Sequence, residues 1–164
     1  MIRSISLLLL VAACSSSSKS AQPPKGMVWK DMNGDQRHWY MTNVVMPKAK
    51  AVFAEFDPKY NTMDCKTCHG PGADDGSFEM PNPKIRPLPN TPEAFMALME
   101  KDAEVKRFTP FMAGKVEPMM GELLHMTVFD PQTKTGEMSC QNCHVLVDET
   151  GKPVPPEHGH EDHH

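Results

Sequence analysis

Apolar residues are scarce in this chain of 164 residues: 39% are hydrophobic and only 7% aromatic. One domain of roughly 120 residues, which is what remains once both ends are set aside, can form a core. So little apolar mass leaves that core thin unless something besides side chains fills it. The N-terminal apolar run from Ile5 to Ala13 is much shorter than the ~20 residues a spanning helix needs. No alternating apolar/polar stretch exceeds four residues, which argues against an all-β fold. Positive charge is lacking too. The formal net charge is −4, and losing Arg3 with a cleaved leader takes it to −5, a balance that argues against nucleic acid as a partner. Nor is there a nucleophile elbow, a phosphate-binding loop or a His-Glu-x-x-His helix, so the common hydrolase and phosphotransfer signatures are missing.

What is present is a pair of pentapeptides, Cys65-Lys66-Thr67-Cys68-His69 and Cys140-Gln141-Asn142-Cys143-His144, which use every cysteine but one. Cys-x-x-Cys-His is the attachment signature of c-type haem. Its two thiols, one helical turn apart, add to the porphyrin vinyl groups, and the following histidine reaches the iron. The sequence therefore predicts two covalent haems, with Cys65, Cys68, Cys140 and Cys143 as thioether residues and His69 and His144 as proximal ligands. The macrocycles would also supply the missing apolar mass. The alternative joins the four cysteines into one structural zinc site, which leaves both histidines without a reason.

The fifth cysteine bears on compartment. Arg3 opens a short positive stretch, and the apolar run ends Leu10-Val11-Ala12-Ala13-Cys14, which reads as an export signal. That ending resembles the lipobox of bacterial lipoproteins. The resemblance implies cleavage after residue 13 and lipidation of Cys14, which would also remove an exposed reactive thiol. Residues 14–26, with five serines and Pro23-Pro24, read as a flexible tether. Ser15 is not the aspartate that resembles an inner-membrane retention signal, so the expected location is the bacterial cell envelope, anchored by lipid to the outer membrane and facing the periplasm.

Fourteen methionines are the second oddity. Methionine is a common second axial ligand of c-type haem and also a flexible core filler. A two-fold internal repeat helps to choose among them. Tyr40-Met41-x3-Val45-Met46-Pro47 matches Phe111-Met112-x3-Val116-Glu117-Pro118. Each copy continues to Phe-Asp-Pro, at Phe56 and Phe129, and then to Met-x-Cys-x-x-Cys-His, at Met63 and Met138. Met41 and Met112 are thus the first candidates for distal ligands, although they stand 24 and 28 residues before their attachment sites. Met80, in a proline-rich loop, and Met120 are the alternatives. Met63 and Met138 stand too close to the attachment cysteines to cap the same iron and are expected at the haem edge. Outside the C-terminal stretch only His38 and His125 remain as further histidines; either could make one haem bis-histidine, and either could be an ordinary surface side chain. Arg86 and Arg107 are candidate propionate partners or solvated charges.

Helix-period apolar positions run over 35–45 and 47–56, from Thr91-Pro92-Glu93 into Ala94–Met99, and near Pro118–Met126, with cap signals at several ends. Gly70 to Pro89 reads as an irregular loop covering the first haem. The expected fold is mainly α: short helices and long irregular loops wrapped around two haems. The expected domain spans 27–147, with repeat units at about 36–90 and 107–147. Residues 148–164 read as a disordered His-rich tail with at most weak metal affinity.

Over about residues 36–147 the chain resembles small exported dihaem c-type cytochromes, and its helix-then-motif repeat is similar in plan to the cytochrome c subunit of photosynthetic reaction centres. In that family the distal methionine lies on the helix before each attachment site, closer to it than Met41 or Met112. The resemblance implies electron transfer between redox proteins of the envelope rather than enzymatic turnover. The alternatives are a dihaem peroxidase or a haem-based sensor, each needing one open distal side, and the four-cysteine zinc protein.

Overall fold

The computed structural model describes residues 21–155. Cys14, the lipobox-like ending and the histidines from 158 onward lie outside the described residues. The fold is mainly helical, and two long helical rods form its frame. The first is α1 (Gly34–Tyr40), a π turn (Met41–Val45) and α2 (Met46–Phe56). The second, after a later stretch, is α6 (Ala103–Phe111), a π turn (Met112–Val116) and α7 (Glu117–Leu124). Between them lie α3 (Cys65–His69), α4 (Gly72–Asp75), β1 (Leu88–Pro89) and α5 (Pro92–Lys101); β2 (Leu146–Val147) closes the order.

Local sequence explains where the rods begin. Asn33 caps α1 by a reciprocal pair of 3.0 Å bonds with Gln36, and Asp102 caps α6 by accepting from the amides of Glu104 and Val105, satisfying donors that have no partner inside the helix. Pro47 and Pro118 explain the π turns. Proline lacks an N–H, and its ring collides with the carbonyl four residues back. Here the preceding residue reaches one residue further, Met46 N–H to Met41 O and Glu117 N–H to Met112 O. The extra residue opens the turn ahead of the ring, so the helix boundary expected at these prolines is a widened turn within a continuous rod. The sequence carries no clear expectation for α6, because Lys106, Arg107 and Pro110 mask it. Val105, Phe108 and Phe111, at three-residue spacing, nevertheless turn one face toward the first rod.

The rods pack antiparallel. At one end the Tyr40 hydroxyl donates to the Leu123 carbonyl at 2.8 Å; at the other Phe56 stacks on Phe111, centroids 4.0 Å apart, and meets Phe108 edge-on. Two buried clusters result. Val45, Leu123, Leu124 and Met138 form one, and Ala49, Phe53, Met63 and Phe111 the other, with Met119 packed against both.

A two-residue parallel ladder pairs Leu88 with Leu146 and Pro89 with Val147. Two residues are too few to show a period of two in the sequence. The ladder ties the loop after the first cysteine motif to the segment after the second. The disordered tail expected from 148 needs correction at its start: Asp148 accepts from Thr150 and Lys152, and Val154 N–H returns to the Leu146 carbonyl. An aspartate that hydrogen-bonds the backbone two residues on builds a turn, which carries order through Val154. Among the described residues no helix is long and apolar enough to cross a membrane.

Candidate cofactor sites

Both pentapeptides form helical turns, by different means. Asp64 caps α3, accepting from the Lys66 amide at 3.0 Å while its own N–H donates to Thr67 Oγ1. Gly70 ends it at φ +55°. In the second motif, Cys140–Asn142 is a 3₁₀ turn. There Ser139 N–H donates to Asn142 Oδ1 at 2.7 Å, Asn142 Nδ2 donates to the Glu137 carbonyl, and His144 N–H donates to the Cys140 carbonyl. A turn of either kind brings cysteines three apart to one side. Met63 and Met138, buried at 5% and 3% exposure, anchor the two motifs in the two core clusters.

The imidazoles share one arrangement. His69 Nδ1 lies 3.1 Å from the Phe78 carbonyl, and His144 Nδ1 lies 2.8 Å from the Arg86 carbonyl. A carbonyl can only accept, so each Nδ1 carries a proton, and in the neutral ring Nε2 is the nitrogen with the lone pair. That is the outer-shell pattern of metal-binding histidine. Burial holds the His69 pKa below the ordinary histidine range, partly opposed by the Phe78 bond, and so favours the neutral, ligating form. The thiols are held protonated: burial pushes Cys68 up to about 11 and Cys143 up to about 12, in each case with a further push from a neighbouring thiol.

The two motifs touch through one residue. Asn82, 1% exposed, is the one buried polar side chain among the described residues. Its Nδ2 donates to the Cys68 carbonyl at 2.9 Å, its backbone N–H donates to the Cys143 carbonyl at 3.2 Å, and its Oδ1 accepts from Lys84 N–H. The loop expected to serve the first site therefore braces both. Nothing local in Pro81-Asn82-Pro83 signals this, because the partners lie 14 and 61 residues away in sequence.

Beside Cys140 opens a cavity of about 550 Å³, whose walls include Asn90, Glu117, Phe129, Cys140, Gln141 and Leu146. Cofactor pockets commonly enclose ~300–1,000 Å³. Gln141 Oε1 is buried with no hydrogen-bond partner. Burial raises the Glu117 pKa. Cys140 keeps exposed surface, yet its chamber side is dry enough that desolvation, reinforced by Glu117, pushes its thiol up. Glu117 and Gln141 were not among the residues marked by the sequence.

The candidate methionines divide between the clusters. Met41 and Met120 pack against the cluster holding Met138, whereas Met112 packs against the one holding Met63, as does Cys68. Because the rods run antiparallel, each π-turn methionine sits in the cluster of the opposite motif. Met80 is half-buried in the loop between Phe78 and Asn82. His38 lies tilted at 60° against Phe78, centroids 5.5 Å apart, and Phe78 meets His69 edge-on. His125 is exposed and left-handed, φ +56°. Arg86 and Arg107 pair with Asp102 and Asp57 at 2.6 and 2.9 Å.

Among the described residues no three His, Cys, Asp or Glu side chains converge to hold a metal ion, so the four thiols are not gathered into one cage. The residues fit a covalently held porphyrin: paired thiols on a turn, an imidazole with Nε2 available, and at the second site a cofactor-sized cavity. Comparison with protein-family models, curated proteins and solved structures returned no match.

Proposed function

We propose that the chain is a dihaem c-type electron carrier of the bacterial envelope, tethered by lipid at Cys14 and passing electrons between redox proteins. The observation that carries this reading is the matched pair of Nδ1–H to carbonyl bonds at His69 and His144, in motifs whose paired cysteines share one turn. Haem would supply a one-electron Fe(III)/Fe(II) couple at each site. The chain's own part is to hold each imidazole oriented, exclude water with the two apolar clusters, and offer a thioether from Met41 or Met112, with Met80 or Met120 as substitutes. In this reading the two rods and their matched π turns are two copies of one haem unit, and the loops wrap the porphyrin edges.

A second reading, a peroxidase or sensor with one open distal side, draws support from the cavity at Cys140, which Glu117 and Gln141 help to line. Production in a host that matures c-type cytochromes tests both. The carrier reading expects a pyridine haemochrome of two haems per chain, an intact mass raised by two haems plus lipid, and no spectral response to carbon monoxide or cyanide. A colourless protein ends both readings. A spectrum that shifts with carbon monoxide moves the assignment to the second.

A further inference from the structure

The loop between the motifs is organised at intervals of four residues. Phe78 accepts from His69, Asn82 joins Cys68 to Cys143, and Arg86 accepts from His144. One segment thus orients both imidazoles and binds both cysteine turns, with Asn82 at its centre. The fit is close. A Cβ on Gly70 would lie 2.9 Å from both Nδ2 and Oδ1 of Asn82, nearer than such atoms pack, so Gly70 leaves room for the amide as well as ending α3. Each identified polar partner of Asn82 is backbone, which does not change rotamer. The brace therefore fixes the relative position of the two turns and not merely their proximity.

Resting on the dihaem reading, we infer that Asn82 is a positioning residue for electron exchange between the two centres. It touches neither iron. It acts through the Cys68 and Cys143 carbonyls, which belong to the residues that would carry one thioether of each haem. Electron exchange between fixed sites falls off exponentially as the path between them lengthens, so the rate depends on how the two turns are held. The step itself is balanced without other reactants: one iron gives up an electron, the other accepts it, and no bond forms or breaks. The design separates two tasks. Each motif makes its own site locally, while Asn82, by its side-chain amide to Cys68 and its backbone N–H to Cys143, sets how the sites communicate. A loop serving only the first site would have no reason to carry the His144 acceptor.

The test uses the full, haem-loaded chain in a half-reduced sample, with haem-methyl NMR resonances reporting exchange between the centres. In the native protein each haem's methyl resonances should appear at an average of their oxidised and reduced positions. Asn82→Leu, which keeps the volume and removes the side-chain bonds to the Cys68 carbonyl and the Lys84 amide, should resolve each into separate oxidised and reduced signals, with the haemochrome still at two haems per chain. Gly70→Ala, which pushes on the amide without changing it, should act in the same direction. Both variants holding two haems with unchanged exchange would overturn the inference. Should neither variant fold, the native protein still decides it: the Asn82 side-chain amide signals should shift in two steps as the two haems are reduced. A response to only one haem would overturn the inference equally. A colourless native protein, by contrast, removes the dihaem reading on which it rests.

Discussion

The two cysteine motifs share five-residue spacing and histidine tautomer, yet they inhabit different surroundings. The first is a capped α turn on an aromatic floor: Cys68 packs with Phe53, Phe111 and Met63, and Phe53, Phe56, Tyr60, Phe108 and Phe111 contact one another edge-on or stacked. The second is a 3₁₀ turn beside a cavity whose lining adds a carboxyl, Glu117, and the side chain of Gln141 to Phe129, Leu146 and Val154. The repeat places Met46 in the first half where Glu117 stands in the second. Attachment chemistry is therefore local and duplicated, whereas the polarity around each site comes from whatever the rods and loops bring to it. Axial ligands and the polarity of the surroundings are what set the potential of a haem, so the two centres are expected to differ.

The largest effect should come from removing one attachment site at a time. Cys65→Ser with Cys68→Ser, or Cys140→Ser with Cys143→Ser, should each lower the haemochrome from two haems to one. If the halves are as different as their surroundings, the two single-haem proteins will have resolvably different midpoint potentials; identical potentials would break the comparison.

Next in size is the aromatic floor. Phe111→Ala empties a buried position shared by both rods and should cost about 3–5 kcal/mol in denaturant unfolding. Tyr40→Phe, at the equivalent place in the first unit, removes only the bond to Leu123 and should cost about 0.5–1.5 kcal/mol. Equal losses would mean that the two ends of the rod pair are not packed differently after all.

The smallest effect sharpens the polar chamber. Because burial raises the Glu117 pKa, the native carboxyl keeps its proton to higher pH than the unfolded chain does. The native state then binds more protons, and stability falls as pH rises from the ordinary carboxylate range through the raised value. Glu117→Gln should therefore raise the melting temperature slightly at neutral pH, with the gain vanishing in acid where the native carboxyl is also neutral. In the haem-loaded protein the same change should raise the potential of the second centre, since removing a nearby negative charge destabilises the ferric state, and leave the first unmoved. A gain that persists in acid would mean that the carboxyl is not desolvated as described.

The two motif turns were legible from the sequence, because each is contiguous. Cys65 to His69 and Cys140 to His144 bring two thiols and an imidazole together within five residues, whereas the caps that set the turns, Asp64 and Ser139, emerge in the folded chain. The first rod and the α7 half of the second were legible too, through helix-period apolar positions, and the matched Met-x3-Val-x-Pro strings marked the places where both rods open into π turns. What stayed hidden depends on distant partners. Asn82 has no local pattern, and Glu117 reads as a first-turn acid on an exposed helix. Arg86 and Arg107 were weighed as propionate partners or solvated charges, and the structure pairs them with Asp102 and Asp57.

Spacing along the chain alone determined the type of chemistry on offer: thiols a turn apart and an imidazole beside them are brought together by the backbone geometry of five residues, whatever the rest of the molecule does. Only the folded chain decided which carbonyls hold those imidazoles, which cluster each methionine enters, and that one asparagine joins both turns. These depend on contacts between segments tens of residues apart, whose meeting is fixed by how two antiparallel rods and a short parallel ladder pack, and no stretch of sequence carries that information by itself.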